Sequence, residues 1–156
     1  MTHPTNYLRD NVAAGSPSYG FWYALPNHSR YEAYDENVCP DNAPLGQFKN
    51  NRAHSNGLGG LWISDDYIPK TYPCLSQTYS GDPNDPYPSN PLNIAEFELF
   101  TAYKNGQVGA FSGRVGAVQM VDFLTVDNKL AGIEYYKTWD IIMGIAKVRG
   151  GYFIGR

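Results

Sequence analysis

The chain has 156 residues, about one domain, and its 42% apolar content is enough to build a core. A formal net charge of −3 excludes the basic footprint of a nucleic-acid binder, so any attraction to an acidic polysaccharide has to be local. Aromatics reach 15%, with 13 Tyr, and 16 Gly plus 11 Pro make the chain turn-rich and strand-favouring rather than helical.

The start, Met1-Thr2-His3-Pro4, has neither a charged n-region nor an apolar h-region, so a secretion signal is expected to lie outside this stretch. No segment is long and apolar enough to read as a membrane span. A motif follows: a small residue or Asn, three residues, Gly, then apolar residues, first as Ser16-Pro17-Ser18-Tyr19-Gly20-Phe21-Trp22. It returns at Asn56–Trp62, Asn105–Phe111 and Asn128–Glu134, and a last copy reads Gly151-Tyr152-Phe153-Ile154-Gly155. The glycines stand at 20, 60, 109, 132 and 155, so the last two intervals are both 23 residues (132 − 109 and 155 − 132). The earlier intervals are read as the same unit carrying inserted loops. Other columns keep step: Leu8, Phe48, Phe97, Met120 and Met143, then Ala13, Ala53, Ala102, Thr125 and Val148.

A period in the low twenties is too short for a pair of helices and fits one coil of a β-solenoid. The predicted fold is all-β, a right-handed parallel β-helix of the PbH1-repeat kind with coils of about 23 residues. A β-sandwich would show alternating strands without such columns. The Asn column is expected to form an amide ladder, and the Gly column to serve either a positive φ or a close backbone approach. Residues 1–156 read as one β-helix segment of a larger protein, because an uncapped solenoid exposes open strand edges.

The insertions lie at about 26–44 and 65–91, both after a Gly-apolar-Trp motif, and should emerge on one side of the solenoid. Each holds one cysteine, so a Cys39–Cys74 disulfide is expected, implying an oxidising compartment; two free thiols are the alternative. Asn27-His28-Ser29 is an N-glycosylation acceptor pattern that agrees with export. The second loop carries Tyr67, Tyr72, Tyr79 and Tyr87, whose rings would either stack on sugars or pack the loop down. Its aspartates suggest Ca²⁺ only weakly, since no EF-hand spacing occurs; no other cofactor and no metal site is implied. Lys49, Arg52 and His54 read as one strand with Arg9 on the preceding coil, an outward cationic face suited to a uronate carboxylate; the alternative is a solvated strand face. Asp127 falls one coil after Lys104 and is expected to pair with it.

Two blocks carry a family resemblance. Thr2-His3-Pro4-Thr5-Asn6 with Asn11-Val12-Ala13-Ala14-Gly15-Ser16 and Gly20-Phe21-Trp22-Tyr23 is one. Pro44-Leu45-Gly46-Gln47-Phe48-Lys49-Asn50-Asn51-Arg52-Ala53-His54-Ser55-Asn56 with Gly59-Gly60-Leu61-Trp62-Ile63 is the other. They resemble the parallel β-helix region of the fibrocystin-like proteins and of the cell-migration-inducing and cell-surface hyaluronidases. The resemblance implies an extracellular or cell-surface location and a glycosaminoglycan or neighbouring copies as partners. The expected role is structural or glycan-binding, with part of a hyaluronan-depolymerising enzyme as the alternative. No catalytic residue is carried over, and whether the chain is an enzyme stays open.

Overall fold

Short strands alternate with sharp corners because the same positions of each coil hold a residue in the left-handed region. One corner column is Asp10, Asn50, Leu99, Asp122 and Gly150, with φ of 57°, 53°, 51°, 52° and 64°. A second is Gly15, Ser55, Lys104 and Asp127, with φ of 73°, 56°, 54° and 51°. Leucine and lysine rarely adopt this conformation, so their place in the columns shows that coil stacking overrides local preference.

In the computed structural model, which describes residues 1–64, 66–76, 80–82, 84–85, 87–137 and 146–155, these corners link three parallel sheets. The first stacks β1 (Tyr7–Arg9), β4 (Gln47–Lys49), β7 (Ala95–Glu98), β10 (Val118–Val121) and β13 (Lys147–Arg149). The second stacks β2 (Val12–Ala14), β5 (Arg52–His54), β8 (Thr101–Tyr103), β11 (Leu124–Val126) and β14 (Tyr152–Ile154). The third stacks β3 (Tyr19–Ala24), β6 (Gly59–Ser64), β9 (Val108–Val115) and β12 (Ala131–Lys137). Each coil contributes one strand to each sheet in turn, which is a parallel β-helix.

The core is the set of inward columns. Phe48, Phe97 and Met120 are fully buried in the first sheet, and Ala53 and Ala102 in the second. Leu61 and Ala110 fill the third, and Phe100 and Phe123 fill the first corner. Phe48 lies 5.3 Å from Phe97 and 5.4 Å from Phe100, ring centre to ring centre, in the tilted geometry that aromatic quadrupoles favour.

The amide ladder forms. Asn105 Oδ1 accepts from Asn56 N (3.2 Å) and Asn56 Nδ2 (3.0 Å), and Asn128 Oδ1 accepts from Asn105 N (3.1 Å) and Asn105 Nδ2 (2.9 Å). A shorter ladder, absent from the columns read in the sequence, joins Asn11 to the fully buried Asn51 at 3.0 and 3.1 Å. The Gly column serves close approach. A Cβ on Gly60 would lie 2.5 Å from Gly109 O, and one on Gly109 would lie 2.5 Å from Gly132 O, while neither glycine has a positive φ.

The last coil departs from the expected 23-residue spacing. Val148 pairs with Met120 and Phe153 with Thr125, so the final interval is 28 residues (148 − 120). Val148 therefore belongs to the Leu8 column and not to the Ala13 column. Gly155 is not a member of the Gly column, and a Cβ there would meet nothing within 4 Å. The five extra residues enter between β12 and β13; Met143, placed in a core column from sequence, lies outside the described residues.

Two substitutions test this stacking. Asn105→Ala strands buried partners on both neighbouring coils and should cost about 2–3 kcal/mol in urea unfolding; an unchanged midpoint would mean that the ladder adds nothing. Gly60→Ala should cost about 1–3 kcal/mol by overpacking, whereas Gly155→Ala should be neutral.

Candidate functional site

The two long connections, residues 25–46 and 65–94, both run from the third sheet to the first and so emerge at one corner of the solenoid. They are bound to each other. Ile68 N donates to Asp41 O and Lys70 N to Asn42 O, both at 2.8 Å, and Tyr67 Oη donates to Ala43 O at 3.1 Å. Cys39 and Cys74 are joined as a disulfide across the same junction, with Cα atoms 5.3 Å apart.

The tyrosines of the second loop divide. Tyr67 is fully buried and is part of the core, so it offers no face to a sugar and is withdrawn as a glycan contact. Burial drives its phenol far above the usual range, with the neighbouring Tyr23 adding to the effect. Tyr87 is also buried and supports the Lys70 ammonium, 4.3 Å above its ring. Tyr72 is 57% exposed and remains available. Tyr79 lies outside the described residues.

The four basic candidates do not form one face. Arg9 and Lys49 lie on the first sheet, while Arg52 and His54 lie on the second, beyond the left-handed bend at Asn50. Lys49 is paired with Glu98 at 3.3 Å, and Arg9 leans on the Tyr7 ring. The His54 ring stacks on Tyr103 at 4.7 Å and 12°, with Nδ1 3.2 Å from Ser55 Oγ. The second sheet is the one the inserted loops do not adjoin, so Arg52 and His54 stand apart from Tyr72. Lys104 and Asp127 are in register at left-handed corners, but no ion pair joins them. The ion pairs on the first sheet are Lys49–Glu98 and Arg149–Glu96.

A different site stands on the outer face of the third sheet. Trp22, Trp62 and Phe111 share one outward column. Trp62 stacks on Phe111 at 3.9 Å and 15°, and Tyr19 stacks on Trp62 at 4.5 Å and 26°. These rings spend their faces on one another along the stack. Trp22 ends the column, is 49% exposed and is fixed by its Nε1–H donating to Ser64 Oγ at 3.0 Å. It forms one wall of a mostly apolar cleft of about 540 Å³, completed by Pro26, Val38, Pro40 and Tyr31, with His3 and Arg30 at the lining. Tyr31 is 90% exposed and holds φ of 57°, an uncommon conformation for an aromatic residue and the kind of local strain that concentrates at binding sites. The volume falls within the about 300–1,000 Å³ of small-ligand sites. An indole face, a phenol and a guanidinium around an apolar floor suit a flat, amphipathic, acidic ligand.

Comparison with known proteins decides the lineage. Residues 1–61 match the family model described as CEMIP beta-helix. The chain is 40% identical over 134 residues to fibrocystin-L of Homo sapiens, covering 86% of this chain and 3% of that protein. This chain is a β-helix relative of the fibrocystin-L and CEMIP proteins. It is also 33% identical over 122 residues to the cell surface hyaluronidase of Danio rerio, covering 71% of this chain and 9% of that protein. Against the cell migration-inducing and hyaluronan-binding protein of Mus musculus the identity is 35% over 128 residues, with 71% and 9% covered. The chain thus spans a small part of each relative. No helix among the described residues is long and apolar enough to cross a membrane, and no group of three His, Cys, Asp or Glu among them is placed to hold a metal ion.

The Trp22 cleft was only half visible in the sequence. Trp22 belongs to the repeat motif, but its partners Arg30 and Tyr31 sit in an insertion with no repeat to place them. Reduction of Cys39–Cys74, or Cys39→Ser with Cys74→Ser, should lower stability by about 2–4 kcal/mol, read as a drop in the thermal midpoint. An unchanged midpoint would show that the backbone bonds of Ile68 and Lys70 alone hold the loops.

Proposed function

We propose that this chain is a glycan-contacting β-helix segment of an extracellular or cell-surface protein, binding an acidic polysaccharide of the hyaluronan type at the Trp22 cleft. The observation that carries this reading is Trp22 itself: the column's terminal ring, half exposed with the Tyr19 ring tilted against it at 5.5 Å, beside an exposed Tyr31 and an Arg30 that has no ion-pair partner among the described residues. A sugar ring laid on the indole would leave its carboxylate within the reach of the guanidinium. The printed names of the relatives, one a hyaluronidase and one hyaluronan-binding, support the ligand class. The disulfide supports the oxidising location.

A second reading, part of a depolymerising enzyme, is favoured by Glu96 and Glu98, two carboxylates on the same outward side of β7. Both are held by cations, Arg149 and Lys49, which is the arrangement of a charge ladder more than of an acid and a base.

The test uses the full-length parent protein with hyaluronan oligosaccharides, with and without Ca²⁺, following affinity and chain length together. Trp22→Ala should weaken binding about tenfold or more, and Arg30→Ala should weaken it and flatten its salt dependence. Arg52→Ala and His54→Ala report on the second sheet and should leave affinity unchanged. Undiminished binding by Trp22→Ala removes the cleft from the reading. Chain shortening that disappears in Glu96→Gln or Glu98→Gln establishes the enzyme instead.

A further inference from the structure

A second cleft, of about 270 Å³, opens between the two inserted loops and shares no lining residue with the Trp22 cleft. Its lining is polar where the first is apolar. Asp41, Asn42, His28 and Lys70 face it, the Cys39–Cys74 disulfide walls it, and Asn27 stands at its margin. Asn42 hydrogen-bonds the Asp41 carboxylate and Lys70 attracts it, yet its Oδ1 is buried with no hydrogen-bond partner of its own among the described residues, an acceptor of the kind that native proteins satisfy with a ligand or water. Lys70 is buried, its ammonium lies over the Tyr87 ring, and it and Asp41 attract each other without a close ion pair among the described residues. The cleft therefore offers an acceptor and a donor to something polar and small, below the usual volume of a whole-ligand pocket.

Asn27 begins the triplet Asn27-His28-Ser29, with no proline in it or after it. It is exposed, lies outside any strand, and nothing among the described residues hydrogen-bonds its side-chain amide. The disulfide 12 residues on, at Cys39, ties the same loop to an oxidising folding compartment, where N-linked transfer takes place.

We propose that Asn27 carries an N-linked oligosaccharide and that its first sugar, an N-acetylhexosamine, seats in the cleft between the loops. The transfer forms a bond from Asn27 Nδ2 to the anomeric carbon of an oligosaccharide carried on a polyprenyl pyrophosphate. The anomeric C–O bond to the carrier breaks, the pyrophosphate leaves with the electron pair, and one amide proton is lost to solvent. No oxidant or reductant is involved. Once attached, a sugar hydroxyl donates to Asp41 Oδ1, and the Lys70 ammonium donates to a sugar oxygen. This seat is separate from the Trp22 cleft, so its failure and the failure of the polysaccharide reading are distinguishable.

The experiment is expression of the full-length parent in a eukaryotic secretory host. Occupancy at residue 27 is read by peptide mass mapping after amidase release in heavy-oxygen water. Wild type and Ser29→Thr should be occupied, and Asn27→Gln and Ser29→Ala unoccupied. An unmodified Asn27 in secreted protein overturns the proposal. Seating is read separately by comparing thermal midpoints of the intact glycoprotein, the form trimmed to one sugar, and Asn27→Gln, a usable comparison because no described residue hydrogen-bonds the Asn27 amide. The trimmed form should match the intact one, and Asn27→Gln should melt a few degrees lower. Equal midpoints for trimmed protein and Asn27→Gln overturn the seat.

Discussion

The distance between successive coils governs this molecule. Parallel strands at the usual spacing of about 4.8 Å leave no room for a side chain wherever the backbone must turn flat against the coil below. At Gly60 and Gly109 the next coil's carbonyl occupies the place of a Cβ. The same closeness lets one carboxamide, Asn105, reach both neighbours, which a wider spacing would forbid. Close approach thus selects Gly at one position and Asn four residues earlier, and the columns of Phe, Ala and Leu follow from the register these two enforce.

Function is placed by the same constraint. Corners between the first and second sheets, and between the second and third, are held to a few residues by their left-handed hinges, so they accept no additions. The corner from the third sheet back to the first carries both long loops. Everything that departs from the repeat gathers there: the disulfide, the buried Lys70, the strained Tyr31 and both clefts. The Trp22 cleft combines a side chain belonging to the repeat with others from an insertion, giving a rigid wall opposite a variable one.

Side-chain columns were legible where identity repeated. Gly20, Gly60, Gly109 and Gly132 align as read, as do Leu8, Phe48, Phe97 and Met120, because each environment admits few residue types. The last coil was misread because Gly155 follows an apolar run at the expected interval. A single glycine looks the same whether it meets a backbone or open solvent. Lys49 and Arg52 read as one strand because Asn tolerates a positive φ without requiring one; the repeated corner at Asp10, Asn50, Leu99 and Asp122 keeps no single residue type that would have marked the bend. Tyr67 was ambiguous for the opposite reason: a tyrosine in a polar loop has the composition of a surface residue, and only its bond to Ala43 O and the packing of the loop make it core.

The first two intervals differ by nine residues, 40 against 49, yet the strands on either side keep unbroken register. The length of chain spent at that corner is therefore invisible to the rest of the solenoid, whose rise per coil is fixed by hydrogen bonds elsewhere. Evolution can exchange, lengthen or delete a loop there without renegotiating the core. The corner acts as a docking port with a standard fitting, and among proteins sharing this helix the differences in what they hold should be written in that one strip of surface.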